Sequence, residues 1–304
     1  MTGTIVTGST PRLLQEGVKK VFYVTAKDHQ PVYSRIYKVG KSNKAYEVDV
    51  QVEGMGLASV KNEADDIVMD SFRQSFAPKY VHVAYGKGFQ VSREARDDNQ
   101  YGLYNKGARM LARAMNVTKE VRTHVLLNTA FSTASAMTGG DGLAMISTAH
   151  INGPSGGTFA NRLAVDADFS QASLEDMLKL IMRATDDRGL AKALMPKKLV
   201  GHTDNKFEFE RVLYSDLQSN TAENAKNVVK GTFDEIVLSP WLTADTDAWF
   251  ILTDAEDGLQ YYDRTALEFD QDLSFLNEVT RYKAYMRFVT GYSDPRGIYG
   301  SSGA

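Results

Sequence analysis

No cysteine occurs in the 304 residues, which removes disulfide scaffolds, thiolate metal sites and cysteine nucleophiles and leaves the fold to rest on packing. A basic surplus is missing too. Lys and Arg number 35 against 38 Asp and Glu, a formal net charge of -3, whereas a protein that coats duplex DNA carries a clear positive excess. Nowhere do about eighteen apolar residues run together as a membrane span needs, and MTGTIVTGSTPRLL has neither the basic nor the apolar region of a signal peptide. The expectation is a soluble protein made and kept in a cytoplasm. His29, His82, His124, His150 and His202 are scattered without HExxH or similar spacing, so surface or satisfied histidines are expected and a metal site would have to assemble in space. There is no GxxxxGK[ST] phosphate loop, and GKG at 86–88 reads as a turn between alternating strands. Internal repeats and low-complexity segments are likewise missing.

What is present is an ordinary globular composition, 43% apolar and 24% charged, with length for one large or two modest domains. Ser9 and Thr10 before Pro11 mark a helix start, and Leu14, Val18, Val21 and Phe22 continue it at helical spacing behind a loose arm of ten residues. Period two takes over from Val32 to Glu53, clearest in AYEVDVQVE, with KSNK at 41–44 as a turn between two strands. Residues 54–77 lose periodicity before alternation resumes in PKYVHVAYGKGFQVSRE, so 30–93 reads as long, projecting β structure with little core of its own.

Leu103, Met110, Ala114, Val117, Val121 and Val125 then form the stripe of a helix from about Asn99 to Ser132, roughly 50 Å long at 1.5 Å per residue and suited to a strut. Ser173 reads as the cap of another helix, with Leu174, Met177, Leu178 and Ile181 inward and Gly189 as its stop. PKKLVG reads as a strand and FEFERVLYSDL as a third helix led in by Thr203 or Asp204, which makes 190–262 a compact α/β unit.

One catalytic pattern matches: Gly153, Ser155 and Gly157 spell GxSxG, with His150 upstream. A nucleophile elbow needs an apolar strand before the serine, a helix after it, and acid then histidine downstream; here Pro154 precedes Ser155, a second glycine follows, and His202 is the only later histidine. A glycine-rich surface loop is the better account, with a serine hydrolase as the remote alternative. Adjacent carboxylates (Asp65–Asp66, Asp97–Asp98, Asp186–Asp187) read as solvated turns or helix ends, with acid–base chemistry a minor alternative, and Trp241 and Trp249 as packing residues.

The stretch RYKAYMRFVTGYSDPRGIYG interleaves bases and aromatics as a nucleic-acid grip does. Parity separates them. Tyr282, Ala284, Met286, Phe288, Thr290 and Tyr292 fall on even positions and Arg281, Lys283 and Arg287 on odd ones, the pattern of a half-buried strand. LEFDQDL upstream places Glu268, Asp270 and Asp272 on one parity, so an acidic and a basic strand form a hairpin with opposite charges facing.

In this order, PVYSRIYKV with KAYE (31–47), YVHVAYGKGFQVSRE with DD and YG (80–102), GGDGLAMISTAH with NRLA (139–164), SLEDMLKLIMRATDDRG (173–189), MPKKLV (195–200) and the closing KAYMRF with DPRGIYG resemble tailed-phage major capsid proteins of the Hong Kong 97-like fold, Mu-like major head subunit type. The resemblance spans nearly the whole chain. It implies an α+β fold with an N-terminal arm and short helix (1–30), an extended E-loop hairpin (31–85) that lies over a neighbouring subunit, a peripheral domain (86–189) with a spine helix near 99–132, an α/β axial domain (190–262), and return strands of the peripheral domain (263–304). It further implies a virion subunit assembled in a host cytoplasm, self-association into hexamers and pentamers, a portal, a separate scaffolding protein or a processed precursor, a possible decoration protein, non-specific contact with packaged DNA, no membrane, no cofactor and no catalytic residue. Arg35, Lys41, Lys44, Asp65 and Asp66, all within the implied E-loop, are the candidates for intersubunit ion pairs. A protein compartment shell of the encapsulin type shares the fold and is the nearest alternative; a nucleic-acid-binding protein is a third.

Overall fold

A computed structural model describes residues 11–98, 101–133, 139–153, 156–217, 226–274 and 278–303; the arm expected before Pro11, and Ser155, lie outside the described residues. Its helices are α1 (Pro11–Asp28), α2 (Tyr33–Ile36), α3 (Arg93–Asp97), α4 (Tyr101–Asn128), α5 (Gln171–Met182) and α6 (Lys206–Tyr214). Its strands are β1 (Lys38–Lys41), β2 (Tyr46–Val48), β3 (Lys79–Val81), β4 (Val83–Val91), β5 (His150–Ile151), β6 (Thr158–Phe159), β7 (Pro196–His202), β8 (Glu235–Ser239), β9 (Trp249–Thr253), β10 (Leu259–Leu273), β11 (Thr280–Tyr292) and β12 (Ile298–Ser301).

The first layer is a sheet in the order β1-β10-β11-β4, covered on one face by α1 and α4. Even-numbered residues of β11 point into this core, where Tyr282, Ala284, Met286 and Phe288 are buried, as their parity requires. Phe89 and Tyr85 of β4 stack on Tyr282 and Phe288 at 4.7 and 4.9 Å between ring centroids. The expected hairpin charges meet: Asp270 faces Lys283 and Asp272 faces Arg281 in register, with Lys283 Nζ 3.3 Å from Asp270. At this exposure such a pair is worth only ~0.2–1 kcal/mol, so the buried even face decides the hairpin.

α4 occupies 28 residues of the expected 99–132 span, about 42 Å at 1.5 Å per residue. Its buried stripe is not the expected one. Tyr104, Ala108, Leu111, Ala112 and Met115 enter the core, while Met110 is 69% exposed and Val117 and Val121 also face solvent. Both stripes have helical spacing, but Lys106, Arg109 and Arg113 interleave with the Met110 stripe, and burying it would have desolvated three cations.

GKG at 86–88 is not a turn. It runs through the middle of β4, opposite Tyr285, Ala284 and Lys283 of β11, and a Cβ on Gly88 would sit 2.5 Å from the Tyr282 carbonyl oxygen. The glycine is there for close backbone approach, which sequence alternation cannot distinguish from a turn. KSNK joins strands of different sheets: β1 runs parallel to β10, whereas β2 pairs with β3. Of the 30–93 segment expected to project, α2, β1 and β4 belong to the first layer.

The second layer is the sheet β12-β9-β7-β8. Leu199, Trp249, Ile251 and Tyr299 on one face pack against Leu174, Met177, Leu178 and Ile181 of α5 and Phe209, Val212 and Leu213 of α6. Val200, Val237, Phe250 and Leu252 on the other face join the first core. This sheet therefore lies between helices and the first layer. The cap of α5 is Ser170, not Ser173; Ser173 is its partner in a reciprocal capping box. The helix ends at Met182, and Gly189, at φ +81°, closes the later turn from Asp186. β12 leaves β10 and β11 to pair with β9, so the segment 263–304 is divided between the two layers.

Candidate interaction surface

The segment between β2 and β3 has a tied root and an untied tip. At the root, backbone bonds join Gln51 N to Phe76 O (2.9 Å), Ser75 N to Gln51 O (2.9 Å) and Glu53 N to Arg73 O (2.8 Å). The Tyr80 hydroxyl lies 2.6 Å from the Ser293 hydroxyl, which in turn donates to the Asp49 carboxylate, so the root is fastened to the turn after β11. Beyond the bridge between Val52 and Gln74 the strands part.

From 54 to 72 every residue is exposed, including Met55, Leu57, Val60, Ile67, Val68, Met69 and Phe72, and Val60 is 92% exposed. One intrachain latch holds the segment: Arg188 donates to Asp70 at 2.8 Å and to the Ser71 carbonyl at 2.7 Å. The Gly56 and Ser71 amides, then the Arg188 guanidinium, hold the Asp70 carboxyl below its usual range. Among the described residues, 57–69 make no hydrogen bond or ion pair with the rest of the chain. At the tip Asn62 N and Nδ2 donate to Asp65, and Ala64 takes a positive φ of 68°. Glu63, Asp65 and Asp66 thus stand on one exposed turn beside apolar side chains.

The candidate residues divide by location. Asp65 and Asp66 occupy this tip. Lys41 is exposed at the end of β1, opposite Asp263 in register. Lys44 binds Glu47 at 3.2 Å, and Arg35, on α2, binds Glu235 at 2.6 Å, so both are engaged within their own chain.

Two buried polar centres had no signal in the residue pattern. Glu120, fully buried on α4, accepts from Val32 N (2.8 Å), Tyr33 N (3.2 Å) and His29 Nε2 (3.1 Å), and so fixes the crossing from α1 to β1. Arg296, 5% exposed, donates to the Thr185 carbonyl at 2.8 Å, to Asn152, and at 3.3 Å to both Asp187 and Asp294, with its guanidinium 3.8 Å above the Phe159 ring. Lys192 reaches Asp294 at 2.6 Å. Burial alone would push the Asp294 carboxyl up; Lys192 and Arg296 outweigh it and hold the group below its usual range.

Ser155 lies outside the described residues, and His150, upstream of GxSxG, is buried. Its Nδ1 pairs with Asp141 at 2.7 Å, its Nε2 with the Met145 carbonyl at 3.3 Å, and its ring stacks on Phe159. His202 accepts from Asp204 N and caps the 3-10 turn Thr203–Asn205 that precedes α6, and Trp249 packs in the second core. Among the described residues no three His, Asp or Glu gather as a metal site.

The model of a family described as phage capsid protein matches residues 77–301. No curated protein matches by sequence. Solved structures with a similar fold include a virus-like particle from Pyrococcus furiosus (11% identity, 94% of this chain and 98% of that one, TM-score 0.54). A protein of Mycobacterium phage Patience is 10% identical over 99% of this chain and 90% of its own, with a TM-score of 0.56. A capsid chain of cyanophage P-SCSP1u is 9% identical over 90% of this chain and 88% of its own, with a TM-score of 0.57.

Proposed function

Since this chain belongs to the phage capsid protein family, we propose that it is the major head subunit of a tailed bacteriophage, copies of which close an icosahedral shell around packaged DNA. The observation that carries the reading is the 57–69 tip, whose exposed apolar and acidic side chains have no surface on their own chain. An extension tied only by two three-residue strands and one further bridge is marginal alone in water, and a second copy supplies what it lacks. An interface in which a loop of one copy meets a different patch of the next repeats until it closes, as rings and shells require. The net charge of -3 keeps repulsion between many close copies small.

In this reading the part of 31–85 that follows β1 acts as the E-loop, the first layer as the peripheral domain with α4 as its spine, and the second layer, built mainly from 190–262, as the axial domain around the capsomer centre. Assembly takes place in the host cytoplasm with a separate scaffolding protein and a portal, and DNA touches the subunit without sequence preference. Of the five candidates, Lys41, Asp65 and Asp66 have no ion pair within their own chain among the described residues, and with Arg35 and Lys44 they are the proposed contacts to neighbouring copies.

Negative-stain electron microscopy of the protein expressed with and without its neighbouring genes tests the reading. DNA-filled heads bearing tails are expected. Small shells loaded with an enzyme would instead establish a compartment protein, and subunits that never assemble would overturn both.

A further inference from the structure

We propose that His82, Arg264 and Arg287 form a binding site for a small tetrahedral oxyanion of the phosphate class, on the face of the first sheet turned away from α4. Arg287 points away from the core that its neighbours Met286 and Phe288 enter. The ladder between β10 and β11 skips one residue here: Asp263 pairs with Phe288 and Thr265 with Arg287, leaving Arg264 between them. Such a bulge re-aims a side chain. Asp263 approaches Lys119 of α4 at 3.8 Å, and alternation turns Arg264 to the other face, beside Arg287. His82 stands two residues before Ala84, which lies opposite Arg287 in the register of β11 with β4.

Each of the three presents a buried nitrogen with no hydrogen-bond partner: Arg264 Nη1, Arg287 Nε and His82 Nδ1. Among the described residues neither arginine has an ion-pair partner. Orphaned nitrogens on two cations and on an imidazole that is 4% exposed are costly until something accepts from them. Both arginines are only partly buried, so an ion can enter from solvent. Glu47, on the neighbouring β2, is already taken by Ser42 Oγ at 2.5 Å and Lys44 Nζ at 3.2 Å. Ser42 thereby gives its proton to Glu47, so His82 Nε2, 3.1 Å from Ser42 Oγ, is the donor in that contact. In the neutral ring Nδ1 is then a bare lone pair. Burial first, then Arg264 and Arg287, holds His82 below its ordinary range, against the opposing pull of Glu47 and Asp263. An oxyanion between the three reverses that balance: it accepts from both arginines and draws a proton from solvent onto Nδ1, which becomes the third donor. Three donors from three stretches of backbone suit a tetrahedral acceptor, whereas a planar carboxylate is satisfied by one guanidinium fork.

The site lies within one chain, so it is tested on the full-length protein, assembled or not, and stands apart from the shell reading. Inorganic phosphate and, separately, sulfate are titrated by calorimetry against chloride at matched ionic strength, with the melting temperature as a second readout. One anion should bind per chain and raise the melting temperature. Arg264→Gln and Arg287→Gln should each weaken binding about tenfold or more. Sulfate stays a dianion from about pH 8 down to about pH 5, so its pH dependence reports the protein. Its affinity should rise as pH falls, because the complex holds one more proton than the free site, and His82→Gln should flatten that rise. The parent titration needs no variant and so covers a substitution that fails to fold: no binding beyond that of chloride overturns the proposal. Unchanged binding in both arginine variants, once circular dichroism shows them folded, or a parent affinity for sulfate that ignores pH, would also overturn it. A single-stranded oligonucleotide that binds where phosphate and sulfate do not would assign the face to nucleic acid and overturn it as well.

Discussion

The Glu120 carboxylate accepts the backbone amide of Val32 at 2.8 Å across 88 residues of sequence. The same carboxylate holds Tyr33 N, so one buried side chain on the longest described helix binds two amides where the chain passes from α1 into α2. Glu120→Ala strands those donors and should cost the unassembled subunit about 2–4 kcal/mol in chemical denaturation. Glu120→Gln keeps one acceptor and should cost about half as much; equal losses would show that the carboxylate is no anchor.

Gly88 and Gly86 lie two residues apart in β4 and should respond differently to the same methyl group. Gly88→Ala meets the Tyr282 carbonyl at 2.5 Å, whereas at Gly86 the nearest atom is 3.7 Å away. Loss of about 1–3 kcal/mol is expected for the first and under about 1 for the second, read from paired thermal melts.

On α4, Leu111 and Met110 are adjacent in sequence and opposite in environment. Leu111→Ala opens a cavity in the first core and should destabilise by about 2–4 kcal/mol. Met110→Ala should change subunit stability by no more than about 0.5 kcal/mol. A reversed order would mean that the exposed stripe is the buried one.

Asp294 has a lowered folded pKa, so its stabilising contribution is complete above the ordinary value of 3.8 and is lost as pH falls through the depressed folded value. The unfolding free energy of the subunit should therefore decline on acidification below about pH 4, and Asp294→Asn should make that decline shallower. Parallel pH profiles of parent and variant would refute this assignment.

Arg296→Lys keeps the charge but not the planar fork that reaches Thr185, Asn152, Asp187 and Asp294 together. It should destabilise by about 2–4 kcal/mol, close to the cost of Arg296→Ala; a harmless lysine would show that charge alone suffices.

The elements that were legible in the residues share one property: their partner face is set by local period. β11 is the clearest case, since Tyr282, Ala284, Met286 and Phe288 fall on even positions and Arg281, Lys283 and Arg287 on odd ones, and the acidic strand β10 lies just upstream. α4 was legible as a helix, and of its two stripes of similar spacing the one flanked by Lys106, Arg109 and Arg113 stays in solvent while the other meets the sheet, so its orientation was open to a reading that weighs the cations. GKG was misread because a glycine that admits a neighbouring backbone looks the same as one that admits a turn. The acidic tip was visible as Asp65 and Asp66, whereas the engagement of Arg35 by Glu235, 200 residues away, was not.

By itself the sequence determined the kind of element at most positions, the charge-matched hairpin and the family resemblance, because these depend on periods of 2 and 3.6 and on short motifs. Tertiary structure alone decided that β12 crosses to the second sheet and that Glu120 and Arg296 are the polar anchors. Each of those depends on a surface contributed by residues far along the chain, and a local pattern carries no record of what will be folded against it.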